Sequence, residues 1–542
     1  MRYPQITEYH EAVQHPAQAF IDPDLKQGAV AENTLGLPLV MSGGFALTYA
    51  VTTPRRKSAV RCFHREIPEV QQKYAAISKK LHTLANGFFV DFDFQQAGIS
   101  VRRQVYPIVR MDWVEGDTLG VWLDKHFDDA RALEKARGDF AAIARLLERE
   151  GIAHGDLQNG NVMVTNGDIK LIDYDGMFVP GMRPGNGSET GHKHFQHPGR
   201  QASSFGPTMD RFSFIALDLS LQAVIADKSL YAKFREGGET IVFRANDFVD
   251  AQNSAVFARL LALPKLKESA RRFAAICQAP LAAVPTLDDF LAGRNVPGAK
   301  TPITTSPAAA APKPRPAAYI PAYPVVDALN FSAALAHLGD RVELIGRVVE
   351  VKPGSRKRGK GPAQRYVFIN FGSSRGNVVR ISIWSEGLAK LKDRPSAAWV
   401  GRWMSVTGLI DMPYESKRYG YKHLSITVQE DGQIQQLDET QAGFRLASVK
   451  ALPPAPAAPP APAPAATTAK PTGSRPRRPK PAAPAQPVWA VPPAASPAAA
   501  PRAAVQAAAR VSWRRVVRIG CWIAVSVTAV VLVLLIWLRT RG

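Results

Sequence analysis

The stretch that decides the fold is His154–Gly176, with the sequence HGDLQNGNVMVTNGDIKLIDYDG. It places Asp156, Asn161 and Asp173 around two short apolar runs, which Asn166–Gly167 separates. Asn-Gly between apolar runs is a strong signal for a β-hairpin. A hairpin here would bring Asn161 and Asp173 to the same end, where their amide and carboxylate oxygens suit Mg²⁺. The stretch therefore predicts a metal-binding site beside a carboxylate, Asp156, that can orient a hydroxyl group.

The same residues resemble the catalytic and metal-binding loops of the protein-kinase-like superfamily, in the form of a bacterial Ser/Thr kinase-like protein with a His-Gly-Asp catalytic loop. The resemblance implies that Asp156, Asn161 and Asp173 are catalytic, that Asn161 and Asp173 bind Mg²⁺, and that the nucleotide is ATP. Phe195–Gly199 (FQHPG) resembles the end of an activation segment. Asp210–Phe214 (DRFSF) resembles the start of a buried helix whose aspartate braces the catalytic loop. The order of these motifs predicts the kinase-like fold.

The region before the hairpin extends the resemblance. Val40–Val51 (VMSGGFALTYAV) is similar to the glycine-rich turn over the ATP phosphates, where Gly43 and Gly44 permit close approach of the backbone. Without the resemblance, paired glycines before a strand mark an ordinary hairpin. Ser58–Phe63 is similar to the strand whose lysine binds the α- and β-phosphates, and Arg61 stands at that position. Arginine keeps the charge and can bind phosphate through two N–H groups.

Ile108–Gly116 (IVRMDWVEG) resembles the connection between the two lobes of such a domain. The resemblance implies that adenine lies against four consecutive residues, Met111, Asp112, Trp113 and Val114. The alternative is a strand that simply ends at Gly116. Pro68–Leu81 is amphipathic and resembles the helix that carries the glutamate partner of the phosphate-binding residue, with Glu69 as the candidate and Glu66 behind it. Both acids also suit an ordinary helix start.

Other positions depart from the usual kinase pattern. Gly155 replaces the arginine that reads phosphorylation of the activation loop, and Gln158 replaces the lysine that neutralises the transferred phosphate. The metal-binding loop reads Asp-Tyr-Asp-Gly (173–176), so Asp175 is an additional acid. Together with Arg61, these changes keep the metal-binding half of the pattern and alter the half that neutralises phosphate.

Composition limits the class of protein. The chain has 542 residues, a formal net charge of +22 and 43 unevenly spread prolines. This length exceeds one domain, and the prolines mark linkers between folded parts. The charge favours an acidic partner such as phosphate, nucleic acid or phospholipid headgroups. The three cysteines, Cys62, Cys277 and Cys521, lie far apart, which argues against a disulfide framework and a zinc site.

Composition also predicts the domain boundaries. A polar N-terminal extension, 1–34, which predicts no secretory signal, precedes a bilobal α+β kinase-like domain at 35–297. Pro/Ala-rich linkers are expected at 298–325 and, disordered, at 441–509, because few of their residues can form a core. Between the linkers, 326–440 contains short alternating runs and glycine turns. These predict a small all-β barrel similar to an OB fold.

The barrel contains a basic stretch at 352–380, which has no acids and includes Tyr366, Phe368 and Phe371. Aromatic side chains beside a basic groove bind single-stranded nucleic acid by stacking. The alternatives are that the aromatics face the core and the basic loop is only solvated. In that case the partner is a protein, anionic lipid or none.

Ile519–Leu538 is an uncharged run of 20 residues with tryptophans near its ends. Its length predicts a transmembrane helix, and the alternative is a buried core helix. More arginines precede the run than follow it, which predicts a single-pass C-terminal anchor in the cell (inner) membrane with the kinase-like and OB-like domains in the cytoplasm. The expected fold class is therefore multi-domain: kinase-like domain, barrel, linkers and one C-terminal transmembrane helix.

The leading function is that of a protein serine/threonine kinase, which uses ATP and Mg²⁺ to phosphorylate hydroxyl groups of a protein substrate. The alternative is a nucleotide-binding pseudokinase scaffold that recruits partners or nucleic acid through its OB-like domain. The changed residues Arg61 and Gln158 make nucleotide binding the firmer part of this prediction.

Overall fold

The computed structural model describes residues 3–32, 36–42, 46–64, 70–84, 87–187, 189–235, 238–298, 319–356, 364–416 and 419–451. The described residues belong to one unit, Met1–Pro456, and Ala457–Gly542 lies outside the described residues. This unit is an α+β structure with several sheets. It consists of an N-terminal sheet region, a mostly helical region and a β-barrel.

The N-terminal sheet region contains α1 (Ile6–Val13), α2 (Pro16–Ala19), β1 (Ala29–Val30), β2 (Val40–Ser42), β3 (Ala46–Thr52), β4 (Lys57–Phe63), α3 (Val70–His82), β5 (Phe92–Val101) and β6 (Gln104–Asp112). Its strands form one sheet in the order β1-β3-β4-β6-β5, and β2 also pairs with β3. Side chains alternate between the two faces of a strand. In β4, Val60 and Cys62 therefore pack on one face, and Arg61 and Phe63 lie on the other, with α3.

The residues before the predicted domain boundary at 35 are part of this region's core. Tyr9, Val13 and Phe20 are almost fully buried against the sheet, and the Tyr9 hydroxyl donates to the Phe63 carbonyl at 2.7 Å. The segment packs here because its apolar side chains recur on one side of α1 and α2.

The helical region contains β7 (Asp117–Thr118), α4 (Leu119–His126), α5 (Ala130–Glu150), β8 (Val162–Thr165), β9 (Asp168–Leu171), α6 (Arg211–Ala226), α7 (Ser229–Phe234), α8 (Ala245–Val249), α9 (Ala255–Ala262), α10 (Lys267–Gln278) and α11 (Leu287–Ala292). α5 begins where the Asp129 side chain accepts from two backbone N–H groups, and it ends at Gly151 in the left-handed conformation. Leu133, Phe140 and Ile143 form its buried face. α5 packs against α6, which is buried along most of its length.

The barrel contains β10 (Val325–Asp327), α12 (Phe331–Ala336), β11 (Arg341–Arg347), β12 (Glu350–Arg356), β13 (Gln364–Asn370), β14 (Val378–Ile383), α13 (Ser385–Lys390), β15 (Trp403–Leu409), β16 (Tyr414–Glu415), β17 (Lys422–Val428), β18 (Ile434–Leu437) and α14 (Glu439–Ala451). Two sheets, β10-β11-β15-β18 and β12-β13-β14-β17-β16, enclose one apolar core. β11 and β12 follow each other directly, and a bridge between Ile410 and Ile426 joins the sheets on the other side. The predicted boundary at 440 falls inside α14.

The predicted fold class is wrong where it includes a membrane-spanning helix. Within the described residues, no helix is long and apolar enough to cross a membrane. The longest, α5, has 21 residues but carries charged side chains throughout, and the apolar α6 has 16. At about 1.5 Å per residue, α6 is shorter than a hydrocarbon core of about 30 Å. Ile519–Leu538 itself lies outside the described residues.

Candidate active site

The predicted hairpin is confirmed, and it holds two of the predicted site residues at one end. β8 and β9 are antiparallel, and the turn residues Asn166 and Gly167 have φ of 51° and 84°. At the open end, the Ile172 N–H donates to the Asn161 carbonyl at 3.0 Å. Asp173 follows directly, so the hairpin makes Asn161 and Asp173 neighbours.

The Asp156 carboxylate is the centre of a hydrogen-bond network beside this open end. Its Oδ2 accepts from the side-chain amides of Gln158 at 2.8 Å and Asn161 at 2.9 Å. Its Oδ1 accepts from the backbone N–H of His192 at 2.6 Å. Asn161 uses its amide nitrogen for its bonds to Asp156, which leaves its amide oxygen to serve as a metal ligand.

Asp210, which precedes α6, bonds the backbone of the loop that leads to Asp156, as the sequence predicted. Its buried carboxylate accepts from the backbone N–H groups of His154 and Gly155, the second at 2.9 Å. Gly155 has φ 86°, and a Cβ there would lie 2.1 Å from the Gly176 carbonyl oxygen. Arginine, the usual residue of the kinase pattern, therefore cannot stand at 155 unless the backbone moves.

Arg61 joins the two aspartates of the Asp-Tyr-Asp-Gly loop. One guanidinium nitrogen lies 2.6 Å from Asp173 and the other 2.5 Å from Asp175. The Arg61 and Asp175 side chains are 7% and 9% exposed, whereas that of Asp173 is 38% exposed. The planar fork of arginine can bond two carboxylates in fixed directions, and the point charge of lysine cannot. Arginine at 61 is thus matched to the additional acid at 175.

Helix α3 adds two side chains to this group of charges. The Tyr74 hydroxyl donates to the Asp175 carboxylate, and the Lys73 ammonium donates to the Asp175 backbone carbonyl. Arg61, Lys73, Tyr74, Asp173 and Asp175 are called the charge cluster below. The acids proposed as partners of residue 61, Glu66 and Glu69, lie outside the described residues.

The packing of these acids shifts their pKa values. Burial raises the pKa of Asp175 against the opposing charge of Arg61. For Asp173, burial acts in the same direction, but the charge and hydrogen bond of Arg61 outweigh it and lower the pKa. Burial and the negative charges of Asp175 and Asp173 raise the pKa of Glu189 to about 8. Glu189 belongs to the connecting segment (177–209), which therefore passes close to the charge cluster.

The predicted adenine contacts lie at the end of β6. Met111 is buried. The backbone N–H groups of Asp112 and Trp113 donate to carbonyls of neighbouring chain segments at 3.2 and 3.1 Å. The half-buried Val114 has no such backbone bond within the described residues, which leaves its N–H as the candidate donor to an adenine ring. The other predicted nucleotide contacts, Gly43 and Gly44, lie outside the described residues.

The donor atoms at the open end of the hairpin fit Mg²⁺. In the described part of the chain, no group of three or more His, Cys, Asp or Glu side chains could hold a metal ion. Mg²⁺ is commonly bound by one or two carboxylates together with water and substrate phosphates. The Asp173 carboxylate and the Asn161 amide oxygen suit such a partial site, in which the nucleotide supplies further ligands.

No protein-family profile matches this chain, and no curated protein matches it. The functional argument therefore rests on the residues and their geometry.

Several site residues could not be identified from the sequence. Tyr74 lies in α3 and Glu189 in the connecting segment, and neither was among the predicted site residues. His192 contacts Asp156 through its backbone, which no side-chain pattern records. The pairing of Arg61 with Asp175 did have a signal, because both depart from the same kinase pattern.

A second candidate site lies on the outer face of the barrel. Val367 and Ile369 of β13 belong to the core, so Tyr366 and Phe368 lie on the opposite face. Their rings are 4.8 Å apart. Phe371 is buried in the core. Tyr366 and Phe368 therefore face outward, whereas Phe371 faces the core.

Neighbouring strands extend this outer face. The Trp384 ring lies 5.8 Å from Phe368, and the Arg380 guanidinium lies 4.0 Å over the Phe368 ring. Tyr419 and Tyr421 stack with centroids 5.6 Å apart and planes within 3°. These residues and Tyr366 form what is called the aromatic face below.

Proposed function

We propose that this chain is a protein-kinase-like phosphotransferase, which transfers phosphate from ATP to serine or threonine hydroxyl groups of a protein substrate. The observation that carries the proposal is the placement of Asp156, Asn161 and Asp173 together at the open end of one hairpin. The backbone brace from Asp210 supports it, because it fixes the loop that carries Asp156. Phosphoryl transfer depends mainly on such positioning and on electrostatic stabilisation.

Each side chain has a definite task in this proposal. Asp156 orients the acceptor hydroxyl and takes up its proton as the new O–P bond forms and the bond between the γ-phosphorus and the bridging oxygen of ATP breaks, which releases ADP. The Asn161 amide oxygen and Asp173 would hold Mg²⁺, which supplies positive charge to the β- and γ-phosphates. Arg61 and Asp175 keep the Asp173 carboxylate in position. Gln158 holds the Asp156 carboxylate through its amide instead of supplying the cation that lysine would supply.

The test uses the full chain with labelled ATP, Mg²⁺ and protein substrates. We expect transfer of label to protein, and we expect ATP with Mg²⁺ to raise the melting temperature. Asp173→Asn should reduce both effects. Asp168→Asn is the matched control, because Asp168 lies on the same hairpin with a 72% exposed side chain and should leave both unchanged. Stabilisation by ATP without any transfer would instead support the pseudokinase alternative.

For the barrel, we propose binding of single-stranded nucleic acid on the aromatic face. Aromatic rings beside an arginine can stack on bases, and each base stacked on an aromatic side chain contributes about 1–3 kcal/mol. Arg380 over Phe368 provides both features within one contact. Half-buried Tyr366 and Trp384 extend the stacking surface.

Binding of a labelled single-stranded oligonucleotide to the full chain tests this second proposal. Affinity should fall as salt rises, because phosphate contacts release counterions. Trp384→Ala should weaken binding about tenfold or more. The control is Val349→Ala, which truncates an exposed residue elsewhere on the barrel. Lack of binding at low salt would reject the proposal.

A further inference from the structure

The barrel contacts the helical region beside the catalytic loop. Arg341, the first residue of β11, lies 3.2 Å from Glu239. Its guanidinium also lies 4.9 Å over the ring of Tyr323, which precedes β10. Both barrel residues therefore converge on one glutamate of the helical region.

The same glutamate binds the connecting segment. The His192 imidazole lies 2.9 Å from Glu239, and the Tyr323 ring meets the His192 ring edge-on at 5.5 Å. The Tyr323 hydroxyl donates to Glu239 at 3.5 Å. His192, Glu239, Tyr323 and Arg341 are called the latch below. The latch joins the barrel to the connecting segment by direct contacts.

Electrostatics agree with this geometry. Burial would raise the pKa of Glu239, but the His192 hydrogen bond and the Arg341 charge outweigh it and lower the pKa to about 2. The Arg341 pKa is raised by Tyr323 and, against burial, by negative charges that include Asp156. The latch is thus a charged network that lies within electrostatic range of the catalytic carboxylate.

His192 carries the effect of the latch to Asp156. Its imidazole is held by the latch, while its backbone N–H donates to Asp156 Oδ1 at 2.6 Å. The other carboxylate oxygen, Oδ2, already accepts from Gln158 and Asn161. An acceptor hydroxyl that approaches Oδ1 must therefore share this oxygen with the connecting segment, whose backbone nitrogen lies 2.6 Å from it.

The barrel has further contacts that keep it in this position. The Ile320 backbone N–H donates to the Asn246 side chain at 3.1 Å. On another side, Lys392 lies 4.0 Å from Asp124 of α4. Because these contacts are separated along the barrel, loss of one latch residue should loosen the segment without releasing the whole barrel.

We infer that the barrel inhibits its own kinase-like domain by latching the connecting segment onto Asp156. The inference rests on the proposed function, because it names the regulation of the same site. Release of the latch frees His192, uncovers Asp156 Oδ1 and admits the acceptor hydroxyl. Nucleotide binding does not depend on the latch, since the charge cluster and the end of β6 contain none of its residues.

The test compares Arg341→Met with Arg347→Met in the full chain. Arg347 lies at the other end of β11 and donates to the Gly401 carbonyl within the barrel, so it is a matched control. Tyr323→Phe removes a single oxygen from the latch and serves as the second variant if Arg341→Met does not fold. Amide hydrogen exchange of peptides that cover 189–196, ATP affinity and label transfer are measured for each protein.

We expect Arg341→Met to speed exchange of the His192 amide and to raise transfer, each about tenfold, because a bond to a charged group is lost. Tyr323→Phe should act in the same direction with a smaller effect. ATP affinity should not change, and Arg347→Met should match the unaltered chain. Unchanged exchange in both latch variants would overturn the inference, as would faster exchange without faster transfer in a chain that is active.

The failure of the proposed function would look different. In that case no protein, including Arg341→Met, would transfer label although all bind ATP. Exchange alone would then decide about the latch: faster exchange of the His192 amide in Arg341→Met upholds it, and unchanged exchange overturns it.

Discussion

The two halves of the candidate active site are built in different ways. Asp156, Asn161 and Asp173 come from one loop and one hairpin, so local sequence places them. The charge cluster brings β4 and α3 against the Asp-Tyr-Asp-Gly loop, with Arg61 more than a hundred residues from its partners. The comparison teaches that the hairpin half depends on local folding, whereas the charge cluster depends on packing between distant elements.

The largest expected effect is on the charge cluster, whose residues come from distant elements. Arg61→Met leaves the buried Asp175 carboxylate without its cation and should lower the free energy of unfolding by about 3–5 kcal/mol. Arg56→Met is the control: Arg56 also bridges two carboxylates, but it is 40% exposed and should cost at most about 1 kcal/mol. Adding Asp175→Asn to Arg61→Met should recover part of the loss. Equal losses in chemical denaturation for Arg61→Met and Arg56→Met would contradict this account.

The next effect concerns Asp210, whose carboxylate bonds the backbone of the loop before the hairpin. Asp210→Ala removes the partner of two buried backbone N–H groups and should cost about 2–4 kcal/mol. Asp129→Ala removes an acceptor from two N–H groups at an exposed helix start and should cost about 1 kcal/mol. Denaturant unfolding of both variants measures the difference. Similar losses of unfolding free energy in the two variants would show that burial of the Asp210 carboxylate adds nothing to stability.

A smaller effect tests the backbone of the catalytic loop. Gly155→Ala and Gly167→Ala both place a side chain at positive φ, 86° and 84°, which costs about 1–3 kcal/mol. Only at 155 does the added Cβ meet a carbonyl oxygen, at 2.1 Å, while the space around 167 is open within 4 Å. Gly155→Ala should therefore be the more destabilising of the two in thermal unfolding. The reverse order would refute the close approach of Gly176.

A further effect is a pH dependence near the charge cluster. The pKa of Glu189 rises from 4.5 to about 8 on folding, so the folded chain holds a proton that the unfolded chain loses between these values. Stability should fall as pH rises through this window. Glu189→Gln should flatten that slope in unfolding curves measured across the window. An unchanged slope would mean that Glu189 ionises normally in the folded chain.

The sequence predicted what local chemistry determines. Asn-Gly placed the hairpin, and the hairpin placed Asn161 and Asp173 at the same end, because both flank its two strands directly. Long-range pairing was harder to predict. Arg61 and Asp175 both depart from the kinase pattern, but nothing in the sequence indicates that Tyr74 completes their contact. The latch was equally hidden, since Glu239 and Arg341 belong to different parts of the chain.

Other predictions differ from the structure. The segment before residue 35 was expected as an extension, but Tyr9 and Phe20 bury it in the sheet core. The transmembrane helix was inferred from the length, the flanking tryptophans and the arginine bias of 519–538, which lies outside the described residues, and no described helix is long and apolar enough to cross a membrane. On the barrel, alternation along β13 separates Phe368, which faces outward, from Ile369, which faces the core. The separation follows from the alternation of side chains along a strand, and the structure adds that the face with Ile369 is the buried one.

The most direct test of the central claim is the rate of phosphate transfer from ATP to protein by Asp156→Asn, compared with the unaltered chain and with Asp168→Asn. Loss of the group that orients the hydroxyl and accepts its proton should slow transfer about 10²–10⁴-fold and leave ATP affinity unchanged. Asp168→Asn, with its exposed side chain, should transfer at the normal rate. Equal transfer rates for Asp156→Asn and the unaltered chain would contradict the account.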